Sequence, residues 1–409
     1  MRALADLDPF DPDVVQEPHE FFAALRREAP LYRLPSGAYS LISRYRDVRD
    51  AAMNPEVYSS NLVAVMMQGL EQPELLSFEG AGRVDVLATA DPPVHARQRK
   101  LSNKAFSMRR VGALEPAIRA LAESLVGAIL PQGGARWSSA DWVREVAVPL
   151  PMTLIAGLIG LPSEDIPQLK RWSDGAIALL SGVNTPAQLA ESVRQAGELG
   201  EYFRRRVDEA ALAPRDDVLG DLVRASGGGN ALTREEVVAI LLQLLTAGNE
   251  TTTSAIGSAL LLLLENPEIE ARIRADGALL EPFIEEVLRL ESPLHGHFRL
   301  VRRDTKVAGL PLAQGSRVML LWGAANRDGD EFPNPDAIDL ARRNAKAHFA
   351  FGLGLHHCIG AALARLEIRV ALETLLARTS ALRRGDGKIA HVPSLLVRGL
   401  VSLPVELAT

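Results

Sequence analysis

Apolar residues recur at three- and four-residue spacing through five stretches: Arg110–Leu130, Ser192–Ala213, Arg234–Glu265, Leu279–Leu290 and Gly360–Arg378. That spacing gathers apolar side chains on one face of a helix, so each stretch predicts an α-helix. The third carries the clearest start signal. Thr233-Arg-Glu-Glu236 is a capping box, in which the Thr233 hydroxyl and the Glu236 carboxylate satisfy each other's backbone N–H groups. Asn266-Pro267 stops the pattern roughly 30 residues later, against a mean of ~11–12 for globular helices, so this helix should cross the molecule. Val237–Leu245 and Ile256–Leu264 are apolar on nearly every face, which predicts a buried helix. Strand signals are short: Leu31–Ser40, Lys306–Val307, Arg317–Leu321 and Leu395–Leu407. The pattern therefore predicts a mainly α fold with a minor β-sheet. No repeat, low-complexity tract or polar linker interrupts it, so residues 1–409 are expected to form a single domain. Asn61–Ala90 is glycine-bearing, weakly periodic and long for a connection, and loops of that length are often functional.

Composition narrows the classes. With 409 residues, 47% of them hydrophobic, the chain can bury a large core without staples. A net charge of −6 and 5% aromatics argue against a nucleic-acid partner. The single cysteine, Cys358, excludes an internal disulfide, a Cys-ligated iron–sulfur cluster and a Cys-rich zinc site, and suits a reducing compartment. Acids and prolines stand near the N-terminus where a signal peptide needs an apolar core. The most apolar region, Val237–Leu264, is broken by Asn249-Glu250-Thr251-Thr252-Thr253, and neither half reaches the roughly 20 apolar residues of a membrane span. A soluble, cytoplasmic protein is expected.

The chemistry centres on Phe351-Gly-Leu-Gly-Leu-His-His-Cys-Ile-Gly360. Gly352 and Gly354 permit a tight loop with N–H groups turned inward. Cys358 stands just ahead of a helix N-terminus, where free N–H groups and the helix dipole favour a thiolate. Gly360 lets the backbone approach that sulfur. A lone cysteine is more often a small buried hydrophobe. Here the ordered pattern Phe-x-x-Gly-x-His-x-Cys-x-Gly reverses the odds. It resembles the haem-binding signature of the bacterial-type cytochromes P450, and the resemblance runs from about Asp11 to Leu407.

That resemblance implies a P450 fold whose long central helix crosses a haem b (iron protoporphyrin IX), with Cys358 as the axial thiolate. Phe351 would pack beneath the ligand and His356 would reach a haem propionate. Ala247-Gly248-Asn249-Glu250-Thr251 resembles the family's Ala-Gly-x-Asp/Glu-Thr motif. On a helix Ile240, Leu244, Ala247 and Thr251 share one face, which would look onto the haem. Gly248 would leave a groove for dioxygen. Thr251 would bond back toward Ala247 and act on bound oxygen, and Glu250 would feed protons. Thr252 and Thr253 leave the acting threonine open by one position.

Asp91-Pro-Pro-Val-His95-Ala-Arg-Gln-Arg99 resembles the family's Asp-Pro-Pro-x-His-x-x-x-Arg, with His95 and Arg99 neighbours on one helical face. With Arg299 and His356 they outline a clamp for two haem carboxylates. Glu286-Val-Leu-Arg289 is the structural Glu-x-x-Arg element. The family's third partner, an arginine, falls on Ala337 of Pro335-Asp336-Ala337-Ile338-Asp339, so Arg342 or Arg343 is expected to replace it.

The resemblance places substrate contacts in Asn61–Leu87, Trp172–Val183, Ile240–Ala247, Leu294–His297 and Leu395–Leu396. Met67, Leu70, Leu244, Ala247, Leu294, His295 and Leu396 are the chosen contacts, a mainly apolar set suited to a hydrophobic small molecule. Met66-Met67 reads equally well as core packing. In an extended segment His295 and His297 would share the face of Arg299. His297 would then lie near a propionate. His295 would meet a polar group on the substrate or serve as a satisfied structural histidine.

The implied activity is monooxygenation, one atom of O2 entering a hydrophobic substrate by hydroxylation or O-dealkylation. Nothing resembles a flavin or nicotinamide domain, so electrons are expected from a separate ferredoxin and reductase, and the protein is expected to be a monomer. Arg109, Arg110, Lys346 and Arg365 would steer an acidic partner, or simply form a solvated face. Two alternatives remain: a peroxide-using or non-oxidative P450-fold enzyme, which the Glu250-Thr251 pair disfavours, and a haem-binding sensor without turnover.

Overall fold

The computed structural model describes residues 2–37, 39–61, 86–103, 106–226 and 231–409. Met66, Met67 and Leu70 lie outside the described residues. The five periodic stretches are helices, at Met108–Ile129, Pro186–Leu212, Arg234–Glu265, Leu280–Glu291 and Ala361–Arg378. The 32-residue helix Arg234–Glu265 opens as its capping box requires. Thr233 Oγ1 accepts from the Glu236 N–H at 3.1 Å, and the Glu236 carboxylate accepts from the Thr233 N–H at 2.8 Å.

This helix joins two apolar cores. Its N-terminal half packs Val237, Leu241 and Leu245 with Ile155, Ile159 and Phe203. Its C-terminal half packs Ile256, Ala259 and Leu260 with Trp142, Leu150 and Leu372. Each fully buried aliphatic side chain contributes about 1.5–3 kcal/mol of transfer free energy, so the helix is anchored at both ends. Thr246–Ser254, the polar stretch between, belongs to neither core.

Shorter helices carry weaker periodic signals. Pro149–Ile159 starts with two prolines, which a first helical turn tolerates, and is too uniformly apolar to show one face. Val94–Ser102 and Ile166–Ala178 both matter to the site below. Among the described residues no helix is long and apolar enough to cross a membrane.

The expected strand Leu31–Ser40 is instead a hairpin. Pro35-Ser36-Gly37 turns the chain, with Gly37 at φ 72°, so Leu31–Arg33 pairs antiparallel with Ser40–Ile42. In the five-stranded sheet these strands are followed by Arg317–Leu321, Gly296–Val301 and Tyr58–Ser59. Ser40–Ile42 runs parallel to Arg317–Leu321, and Gly296–Val301 pairs antiparallel with the other edge of Arg317–Leu321, setting His297 opposite Leu320 and Arg299 opposite Val318. The tail also divides. Leu400–Ser402 pairs with Ala390–His391, and Pro404–Ala408 lies between Trp137–Asp141 and Ala381–Arg384. Residues 395–399 form a return segment whose Val397 bridges to Leu294.

Candidate active site

The cysteine loop closes on itself. The Cys358 N–H donates to the Phe351 carbonyl at 2.8 Å, and the Gly352 N–H donates to the Phe349 carbonyl at 2.8 Å. Gly354 holds φ 70°, and a Cβ there would press to 3.0 Å from the Ala52 carbonyl, so only glycine fits. Gly360 caps the helix Ala361–Arg378, and its backbone N–H faces the sulfur. Cys358 is exposed at its immediate surface, but protein encircles it at longer range. That enclosure pushes the thiol up, opposed by the Gly360 N–H and by the charges of Arg99 and Arg365. A thiolate here requires a metal or a further cationic partner to hold its charge.

The middle of the long helix opens on one face. Ala247 is exposed and Thr251 half-buried, whereas Thr252 and Thr253 are buried among packed side chains. Thr251 Oγ1 donates to the Ala247 carbonyl at 2.7 Å. Of the three threonines, only Thr251 joins Ala247 on the open face. Glu250 points to the side, where Lys170 Nζ of the Ile166–Ala178 helix lies 3.6 Å from its carboxylate. Lys170 also pairs with Asp174, four residues on. Burial pushes the Glu250 carboxyl up and Asp174 adds to this, while Lys170 opposes it. The sequence motifs do not point to Lys170 or to the role of Asp174 within Trp172–Val183; their i,i+4 spacing is the available signal. Gly248 also serves packing: a Cβ there would meet Ile155 at 3.3 Å, so the residue permits close approach of Pro149–Ile159.

Three elements bring basic side chains together near the cysteine loop. His95 comes from Val94–Ser102 and His356 from the loop, their ring centroids 4.4 Å apart. His95 Nε2 has no partner among the described residues, and neither ring nitrogen of His356 makes a hydrogen bond of normal geometry. Arg299 is 4% exposed, and among the described residues its guanidinium donates only to the Phe298 carbonyl, at 2.7 Å. Burial pushes Arg299 down to about 10, partly offset by Asp91. Asp91 itself is occupied by Ser59, the Ser60 N–H and Arg302. Arg99 makes no ion pair among the described residues, and burial lowers it against the attraction of Cys358. His356 is pushed to about 3 by burial, with Arg299, His95 and His297 adding. The Trp322 indole N–H donates to His297 Nδ1 at 2.9 Å, which leaves the proton of neutral His297 on Nε2. Buried donors that find no protein acceptor call for an acidic ligand. A dicarboxylate whose metal takes a thiolate satisfies both requirements, and haem is such a group.

The family description Cytochrome P450 matches residues 51–389. The chain belongs to the cytochrome P450 family. It is 38% identical over 397 residues to Cytochrome P450 144 of Mycobacterium tuberculosis, covering 96% of this chain and 90% of that protein. It is 35% identical over 406 residues to the Vitamin D(3) 25-hydroxylase of Pseudonocardia autotrophica, covering 98% and 96%. The structure of Cytochrome P450 CYP109Q5 from Chondromyces apiculatus superposes with a TM-score of 0.84 at 36% identity, covering 98% of each chain. The P450 is thus an oxidoreductase that incorporates oxygen, and it binds haem b through the thiolate of its one cysteine.

The rest of this P450 can be placed around that centre. Glu286 and Arg289 are both fully buried and paired at 2.8 Å and 2.9 Å. The third partner is Arg342, whose Nε lies 3.0 Å and 3.1 Å from the two Glu286 oxygens. Arg343 is exposed instead. Ala337 still takes part through its carbonyl, which accepts from Arg289 and Arg342. The missing side chain is therefore replaced from five residues downstream.

Leu294 and Leu396 join Leu180 in one apolar cluster, and Leu244 is buried in the core that packs the N-terminal half of the long helix. His295 departs from the expected face. It precedes the strand, with its N–H donating to Leu396 and its carbonyl accepting from Gly323, so alternation begins only at Gly296. Its ring packs edge-on against Phe22 at 5.2 Å and lines a small pocket with Val14, Val15 and Leu395. Among the four basic residues considered for steering, Arg110 is tied to Asp221 and Asp216 and Arg365 to Glu285, whereas Arg109 and Lys346 are exposed.

Proposed function

We propose that this P450 oxygenates an apolar small molecule held beside Leu244 and Ala247 of the long helix and the Leu294 and Leu396 segments, by hydroxylation or O-dealkylation. The observation that carries the reading is the open Ala247–Thr251 face, with Glu250 and Lys170 behind it. Bound haem supplies the iron at which O2 is activated. His95, Arg99, Arg299 and His356, with His297 beside them, would hold its two carboxylates, and Cys358 would supply the thiolate to its iron. Phe351 supports the ligand loop from below.

Thr251 keeps its hydroxyl proton on Ala247 and can redirect it toward the open face with a change of one side-chain torsion. Glu250 relays protons from the Lys170–Asp174 pair at the helix flank, and burial, by pushing its carboxyl up, makes it a better proton acceptor than a solvated glutamate. A peroxide-using enzyme needs neither group. Electrons come from a separate ferredoxin and reductase, and the exposed Arg109 and Lys346 favour an acidic partner. The whole chain acts as one domain and as a monomer.

The test is a panel of apolar compounds screened for a low-spin to high-spin change, followed by product analysis. One relative is named for acting on vitamin D3, so vitamin D3 is the first probe. Thr251→Ala should keep haem and substrate binding while diverting most reducing equivalents into hydrogen peroxide. Tightly coupled product formation in that variant would remove Thr251 from the mechanism.

A further inference from the structure

One carboxylate grips both ends of the cysteine loop. Glu285, the neighbour of Glu286 in Leu280–Glu291, is 4% exposed. Its Oε1 accepts from Arg365 Nε at 2.6 Å, and its Oε2 accepts from Arg365 Nη2 at 3.0 Å. Its Oε2 also meets His348 Nε2 at 3.1 Å. His348 Nδ1 accepts from the Ala350 N–H at 3.2 Å, so neutral His348 carries its proton on Nε2 and donates to Glu285. His348 thereby pins the entrance of the loop. Arg365 sits in the helix that follows the loop, and its guanidinium carbon lies 4.4 Å from the centre of the Phe351 ring. Phe351 in turn accepts the Cys358 N–H through its carbonyl.

Arg365 also acts on the sulfur by charge, favouring the thiolate of Cys358. Its two-point pairing with Glu285 opposes that field, because a carboxylate beside a guanidinium leaves little net charge at a distance. Burial would raise the Glu285 carboxyl, but the bonds from His348 and Arg365 outweigh it and hold Glu285 at about 2, so the ion is present throughout the working range.

We propose that Glu285 is a positioning residue which, by pairing with Arg365 over Phe351, sets how much positive charge the Cys358 thiolate feels and thereby sets the reduction potential of the haem. The proposal rests on thiolate ligation by Cys358. Removing Glu285 leaves the Arg365 charge uncompensated, which stabilises the reduced and more negative haem. Removing Arg365 leaves the carboxylate uncompensated, which does the opposite. A purely mechanical brace would behave differently, since loosening it from either side disturbs the loop in the same sense.

The experiment is potentiometric titration of the haem-containing protein as wild type, Glu285→Gln, Arg365→Gln and the double variant, with the carbon monoxide difference spectrum recorded for each. The expected result is a positive shift for E285Q, a negative shift for R365Q, and a return toward wild type in the double variant. Single variants that shift in the same direction, or not at all, overturn the proposal. Where E285Q does not retain haem, R365Q decides alone, because its side chain is one-third exposed and its loss leaves the core packing in place. A negative shift then supports the proposal, and a null or positive one overturns it. A wild-type spectrum without the red-shifted thiolate band brings down the ligation reading and this proposal with it. A normal band with same-sign shifts brings down this proposal alone.

Discussion

Two groups of buried charge in this molecule are built on opposite plans. In the Glu286–Arg289–Arg342 group each charge has protein partners: Arg289 bonds Glu286 twice and also reaches the Asn326, Pro335 and Ala337 carbonyls. In the His95–Arg99–Arg299–His356 group the basic side chains gather together, and Asp91, the carboxylate near them among the described residues, is engaged elsewhere. The first network is closed and the second is open on one side. Closed networks hold a fold in one arrangement, while open ones store affinity for whatever completes them. The difference separates structure from binding where both sites carry the same residue types.

The largest test of this contrast is Arg289→Ala. It strands Glu286 and Arg342 in the interior, and breaking such a pair costs about 3–5 kcal/mol. Against a total stability of about 5–15 kcal/mol, the variant should unfold at markedly lower denaturant or give little folded protein. An unchanged denaturation midpoint would show the network to be dispensable.

Arg299→Leu should behave in the reverse way. It removes a buried cation that has no ion pair among the described residues, so the haem-free protein should lose no stability. Haem affinity should instead fall by about 10- to 150-fold, corresponding to about 1.5–3 kcal/mol for one charged hydrogen bond. Parallel unfolding curves and haem transfer to an acceptor protein separate the two effects, and a destabilised haem-free variant would erase the distinction.

Lys170→Met gives the smallest change and probes a third kind of group, one half-open to exchange. Lys170 opposes the upward push of burial on Glu250. Its loss should raise the Glu250 carboxyl further, so the limb of the pH–rate profile governed by Glu250 should move to higher pH, with haem content unchanged. A limb that stays in place would assign it to another residue.

Much of this was legible because it is local. The capping box at Thr233, the bond from Thr251 to Ala247 and the tight turns at Gly352 and Gly354 each depend on residues within a few positions of one another. Where reading failed, the deciding contact came from far along the chain. Arg365 looked like a steering charge until Glu285, 80 positions earlier, was found to hold it. His295 kept the parity of Arg299 but not its face, because bonds to Leu396 and Gly323 hold it outside the ladder. Arg342 and Arg343 were equivalent candidates until the fold buried one against Glu286 and exposed the other.

The sequence by itself determined the reaction class, since ligand, oxygen-side helix and basic clamp are each written in short ordered motifs whose spacing and backbone demands few other residues meet. Only the tertiary structure decided which charges are closed and which are open. A carboxylate and a guanidinium look the same in sequence whether they neutralise each other or await a partner, and their pairing depends on distances set by elements that meet only after the chain has folded.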